Sequence, residues 1–515
     1  MTFAAALGWS DIRNLAIALE DRLRAVSFAA ALEWSGLRAV LITVIAFPIC
    51  VAVAKWLQRD DGPRRRWRWV AVLGPFLFPE LLVGYAYAPQ YAGRPGPAEA
   101  ACAALMLLRV VPVGVVAWLL TPTSMVTPSA LYCRRLSLRT WRDRVDWLRL
   151  WFAGPVTSAI PTLSLLWIVS FQQFELAALI RAVSWSDWLF VQQVGGLSLA
   201  ASLQAAIGPV VGQFVVLMLG IAAVAQSADD APAVITPVHQ SQVTRALIVA
   251  YLVEQWVIVI GWPTVSLAAG LPAGLQQLVT QPLRMQGLAR ELFAGLAAAV
   301  LAASVAWLIA RSVGSAVRTA TSDGSVRTAD PTVSSDRILP RWRSGLGQLL
   351  LCLPGLFGSL LLGLALVAAF QTPMLRVLYN TPVPWVLGLI LYLLPRAVLL
   401  RAWVDPRRPR TAEFLAAQLM TSSDPQQQRH GRRLWWRLVE EPRFFAVAGL
   451  TYWGYLDLTT AYLLSPTGLT SGVVRLYNFM HFGRTAALSA EAAVLLLGPL
   501  AIAAAVWPLV QKGRA

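Results

Sequence analysis

The chain has 515 residues, 57% of them hydrophobic and only 13% charged. Water-soluble domains carry roughly 25% charged residues, so a soluble multidomain protein is excluded. The formal net charge of +17 is almost all arginine, since Lys55 and Lys512 are the only lysines. These arginines lie in short stretches between apolar blocks, without regularly interleaved base-stacking aromatics, which argues against nucleic acid as a partner.

In chain order, residues 1–36 carry Asp11, Arg13, Glu20, Asp21, Arg22, Arg24 and Glu33 and a small repeat, FAAALGWS at Phe3–Ser10 and FAAALEWS at Phe28–Ser35. That much charge suits an interfacial segment better than a bilayer crossing. About eleven apolar spans are predicted next, at 37–57, 69–88, 98–120, 150–171, 199–224, 245–269, 288–311, 346–370, 385–404, 442–464 and 487–508. The expected fold class is all-α: a polytopic transmembrane helix bundle in two similar halves. The first half would cover 37–226 and the second 288–510. A connecting region at 227–287 would include one span, and the Ser/Thr/Ala-rich stretch at 312–343 reads as a flexible cytoplasmic linker.

Arginines cluster in alternate loops, at 59–68, 134–144, 318–343 and 407–437, whereas the opposite loops hold single ones such as Arg94, Arg181, Arg284, Arg376, Arg475 and Arg484. The positive-inside rule puts the clustered set in the cytoplasm. Two of the basic loops, 121–149 and 405–441, share a plan. Ala130 precedes Pro155 by 25 residues and Ala417 precedes Pro442 by the same number. Each following span leads to a related segment, FELAALI at Phe174–Ile180 and LDLTTAYLL at Leu456–Leu464. Three features in one order point to duplication, and a transporter of two like halves binds its cargo at the repeat interface.

The stretches EFLAAQLM at Glu413–Met420, LDLTTAYLLSPTGLTSGVVRLYNFMHFG at Leu456–Gly483, SGLRAVLITVIAFPICVAVAKWLQRDDGPRRR from Ser35 and LCLPGLFGSLLLGLAL at Leu351–Leu366 resemble the fused, two-half permeases of ABC importers, in particular the iron(III) and related binding-protein-dependent group. The resemblance implies a permease in the cytoplasmic (inner) membrane of a bacterium, with a small solute as cargo and ferric iron among the candidates. It implies two partners besides the lipid bilayer: a pair of ABC ATPase subunits, and an extracytoplasmic solute-binding protein. It also implies coupling through the basic loops, where Ala416 and Ala417 match the alanines of the family's ATPase-docking signature. Glu413 is displaced from the signature's acid and Thr421 stands at its glycine; in the first half Ala130 is the only match. The coupling candidates are therefore Ala130, Arg134, Arg135, Glu413, Ala416, Ala417, Arg432 and Arg433. No lysine follows a glycine, so no Walker A motif exists, and any ATP would be bound by a separate subunit rather than as a cofactor of this chain.

Charged residues inside spans either pair structurally between helices or line a pathway. Glu80, Glu175, Glu254 and Asp457 are the pathway or gate candidates, with Arg109 and Arg396 as further intramembrane charges. Gly84, Gly355, Gly358 and Gly363 could permit close helix approach. Cys50, Cys102, Cys133 and Cys352 and three scattered histidines give no disulfide, metal or nucleophile pattern, and no enzyme is expected. An ion-coupled secondary transporter and a diverged, non-transporting scaffold or sensor remain as alternatives.

Overall fold

A computed structural model describes residues 27–58, 64–121, 126, 128–136, 138–225, 241–322, 352–404 and 410–512. Helix is the only regular structure among them, and the chain divides into two compact units at Ser266/Leu267, inside the expected connecting region.

The first unit contains α1 (Phe28–Gln58), α2 (Arg64–Leu77), α3 (Glu80–Tyr91), α4 (Pro95–Leu120), α5 (Pro128–Leu136), α6 (Trp141–Trp151), α7 (Thr157–Phe171), α8 (Glu175–Ile180), α9 (Trp185–Val194), α10 (Leu199–Ala225) and α11 (Gln242–Trp256), with α12 (Trp262–Ala268) at the boundary. The second contains α13 (Leu271–Thr280), α14 (Pro282–Ser322), α15 (Ser359–Phe370), α16 (Pro382–Val404), α17 (Arg410–Met420), α18 (Pro425–Trp435), α19 (Glu441–Tyr455), α20 (Leu458–Leu464), α21 (Gly472–His481) and α22 (Thr485–Lys512).

Local chemistry explains many boundaries. Prolines open α4, α14, α16 and α18, where the missing N–H costs nothing. Thr140 and Asp143 form a reciprocal capping box at α6, and Ser241, Asp424, Asp457 and Ser471 cap α11, α18, α20 and α21. A π-helical turn joins α6 to α7 at Phe152–Val156, over Pro155; another joins α18 to α19 at Trp436–Glu440, just before Pro442. Proline removes a ladder donor, and the wider turn accommodates its loss.

The long helices bury one face and leave apolar side chains exposed on the other. On α1, Ala31, Ala39, Ala46, Cys50 and Val53 are buried while Leu37, Val40, Leu41 and Val44 are exposed. Such a helix suits a lipid surround rather than water. Small residues allow the inner faces to close: a Cβ on Gly114 of α4 would lie 2.5 Å from Cys50 Sγ.

Among the described residues eight helices are long and apolar enough to cross a membrane, and a ninth span results if the bent pair Trp67–Leu77 and Glu80–Tyr91 counts as one. The expected spans at 346–370 and 442–464 are not continuous. Among the described residues of the former, only the twelve-residue Ser359–Phe370 qualifies as an apolar helix, and the latter breaks at Leu456–Asp457, where Asp457 caps a new short helix. The first span helix starts at Phe28, earlier than expected, and α14 runs helical to Ser322, into the expected linker; the rest of that linker lies outside the described residues, as does most of the N-terminal segment.

Candidate functional site

The most polar feature of the first unit's interior is built on a broken helix. Pro79 stops α2 at Leu77, and α3 resumes at Glu80 with a 63° bend. A break in a bilayer leaves carbonyls at the first helix's C-terminus without donors, each costing several kcal/mol if left bare. Arg109 of α4 supplies the donors. Its Nη1 donates to Phe78 O (2.8 Å), its Nη2 to Phe76 O (3.4 Å) and its Nε to Glu80 Oε1 (3.2 Å). The cation thus sits at the negative end of α2 and the carboxylate at the positive end of α3. Glu80 Oε2 also accepts from Gln173 Nε2, in the link between α7 and α8.

That link is held from several sides. Ser184 and Ser186 Oγ each donate to Gln173 O at 3.2 Å, and Gln172 Nε2 donates to the buried Gln213 of α10 at 2.7 Å. Arg38 of α1 donates to Glu99 of α4 (2.8 Å) and to Val183 O (2.9 Å), while Val183 N–H donates to Glu99. Trp185 stacks on Phe171 and donates from its indole to Phe171 O (2.8 Å). Arg181 closes α8 in the left-handed region at φ +63°, where α8's last carbonyls are met by the turn. Beside these groups Asp187 of α9 is buried, and burial pushes its carboxyl up to about 7.

The second unit has the same break with other residues. A helical turn at 352–356 stops at Phe357, Gly358 takes φ +92°, and α15 starts at Ser359. Gly363 on α15 faces Leu463 of α20, and Gly84 on α3 faces Leu179 of α8; a Cβ at either would fall 2.5 and 2.6 Å from those leucines respectively. The close approach expected of both glycines is thus present, as it is at Gly355, where a Cβ would meet Leu391 O at 2.1 Å. Arg396 of α16 and Arg109 of α4 each lie fourteen residues after the first proline of a Pro-x-Pro start, at Pro382 and Pro95. Arg396 lies over Tyr392 (3.7 Å) and Trp453 (4.5 Å), and its Nε is buried without an acceptor among the described residues. The acid of this unit is Asp457, fully enclosed, whose Oδ2 accepts from Thr460 N–H at 2.9 Å within reach of Arg396 and Tyr392.

Of the four pathway candidates, Glu80 is half-buried in the polar cluster of the first unit's break and Asp457 is buried in that of the second unit. Glu175 is half-buried in the first turn of α8. Glu254 is on the exposed face of α11, between the exposed Val253 and Trp256, with no ion pair among the described residues. Among the coupling candidates, Ala130 and Arg135 are exposed on α5, and Arg134 is tied to Asp146 (2.9 Å) and Asp143 (3.6 Å) of α6. Ala416 is buried where α17 packs on α18, since a Cβ on Gly431 would be 2.8 Å from Leu419; Ala417 and Glu413 are half-buried, and Arg432 and Arg433 exposed. Unforeseen from sequence are Arg38, Glu99 and Asp187, and in the second unit the quartet Arg284–Glu491–Arg475–Glu291. The equal spacing of Arg109 and Arg396 from Pro-x-Pro was a usable signal; no local motif marks the others. Among the described residues no group of three or more His, Cys, Asp or Glu is placed to share a metal ion.

No protein-family model matches the chain, and no curated protein or solved structure matches it either. The long apolar helices and internally paired charges define a multi-pass α-helical membrane protein.

Proposed function

We propose that the chain is the permease subunit of an ATP-driven, two-half ABC-type importer in the cytoplasmic membrane of a bacterium, carrying a small solute inward, ferric iron among the candidates. The observation that carries the reading is the repeated order of elements: broken helix, Pro-x-Pro helix with its arginine, basic elbow, π-turn, a longer helix and then two short ones, once in each unit. Both elbows are basic helical pairs that keep apolar side chains exposed: Tyr132, Leu136 and Trp141 in α5–α6, and Phe414 and Leu415 in α17. Exposed apolar side chains ringed by charge suit a docking surface for a soluble partner. An ATPase pair is the partner proposed, with a solute-binding protein delivering cargo from the opposite face.

The test is purification of the full chain from its native membrane, followed by ATP-driven flux in vesicles. The reading expects an ATPase subunit to co-purify with the wild type and to be lost from a Phe414→Ser/Leu415→Ser variant of unchanged melting temperature. It fails if no ATPase is recovered and flux ignores ATP.

Ion-coupled transport is the second reading, favoured by Asp187, a carboxyl that burial pushes up to about 7. It expects Asp187→Asn to abolish flux while ATP acts only through the ion gradient.

A further inference from the structure

At one end of the second unit, Leu283 and Arg284 at the start of α14, and Arg475, Phe479, Phe482 and Arg484 around α21, line an open cavity of about 750 Å³. Two candidate spans, Pro282–Arg311 and Thr485–Pro508, begin beside it, which places it at the level where membrane meets water. Glu491, fully buried, accepts from Arg284 Nε (3.1 Å) and from Arg475 Nε (2.6 Å) and Nη2 (3.2 Å), and Arg475 Nη1 donates to Glu291 (3.3 Å). Both guanidinium groups lie over the Phe479 ring, at 5.2 and 5.4 Å.

A guanidinium has five donors. Beyond Nε, Arg284 has only Gln281 Oε1 at 3.5 Å, the outer limit of a hydrogen bond, and Arg484 is exposed with no side-chain acceptor among the described residues. Three arginines face two glutamates, and the N-termini of α14 and α22 add positive dipole ends. The rim is apolar: Leu283 is 81% and Phe482 70% exposed, beside Met285. Spare guanidinium donors at headgroup depth, bordered by side chains suited to acyl chains, match an anionic amphiphile. We propose that this cavity binds the phosphate of an anionic phospholipid through Arg284 and Arg484, with Arg475 and Glu491 as the fixed frame and the acyl chains lying over Leu283 and Phe482.

The test measures binding to the full chain in detergent, by native mass spectrometry and thermal shift, with phosphatidylglycerol, phosphatidylcholine and inorganic phosphate as separate probes. Phosphatidylglycerol should be retained and raise the melting temperature, and the other two should do so far less. Arg484→Gln, outside the ion-paired frame, should weaken phosphatidylglycerol binding about 5-fold without altering the lipid-free melting temperature, whereas Arg376→Gln, an equal change of charge on another exposed loop, should leave binding alone. Phe482→Ser should also weaken lipid binding. Equal protection by inorganic phosphate would make this a free-anion site and overturn the lipid assignment. Unchanged phosphatidylglycerol binding in Arg484→Gln would overturn the site and leave the quartet a structural frame.

Discussion

The two units place an arginine at the same point of the same helix and use it differently. In the first, Arg109 bridges a proline break, filling the carbonyls of Phe76 and Phe78 and pairing with Glu80. In the second, the break is made by Gly358, the position of Glu80 is Ser359, and Arg396 stacks on Tyr392 and Trp453 beside Asp457. A glycine break lets the turn at 352–356 pack directly on α16, with Gly355 against Leu391 O. The lesson is that the backbone break fixes what the arginine can reach. An equal distance from a Pro-x-Pro start does not guarantee an equal role.

The largest expected effect breaks this comparison at its sharpest point. Arg109→Ala strips two interior carbonyls of their donor and leaves Glu80 only its bond to Gln173, and should cost about 3–5 kcal/mol, whereas Arg396→Ala, which loses ring contacts and the charge near Asp457, should cost less, about 2–3 kcal/mol; unfolding in mild detergent measures both. If the two losses were equal, the bridging role of Arg109 would be wrong.

Next comes the pH dependence of Asp187. Its folded-state carboxyl is raised to about 7 by burial, so the folded form holds its proton more tightly than the unfolded chain. Its contribution is therefore most favourable below about pH 4 and is lost as pH rises to about 7. Asp187→Asn should raise the melting temperature at pH 8 by several degrees, against a ceiling of about 4 kcal/mol, with the gap closing below pH 4. A gap that does not change with pH would contradict this.

The glycines sharpen the likeness. At Gly84 an added Cβ would crowd both Cδ1 and Cβ of Leu179, at 2.6 and 2.8 Å, whereas at Gly363 the tightest contact is the more mobile Leu463 Cδ1, with its Cβ at 3.4 Å. Gly84→Ala should cost about 1–3 kcal/mol and Gly363→Ala less. Gly449, with open space at its Cβ, should be nearly neutral to the same change.

Much of this architecture was legible in the sequence because a bilayer imposes long apolar blocks and sends arginines to the loops. The matched alanine and proline spacings also located the two elbows, each followed by a π-turn. The span count was less legible. Hydropathy at 442–464 is continuous, but Asp457 hydrogen-bonds the Thr460 N–H and so starts a new helix within the apolar run. Glu254 falls mid-span in the sequence, yet helical phase turns it to the outside while its neighbour Gln255 points inward to Leu108 O. Arg284, Arg475, Glu291 and Glu491 read as scattered loop and span charges, since only the fold brings α14, α21 and α22 together.

Cysteine labelling tests the doubled arrangement most directly. Cys133 on α5 is exposed, whereas Cys50, Cys102 and Cys352 are buried, so a native thiol already marks the first elbow. Ser422, in the turn between α17 and α18, can carry a second in a Cys133→Ser background as Ser422→Cys. A membrane-impermeant maleimide should reach both positions from the cytoplasmic side, in inverted vesicles and not in intact cells. Labelling of the two elbows from opposite faces would contradict the arrangement.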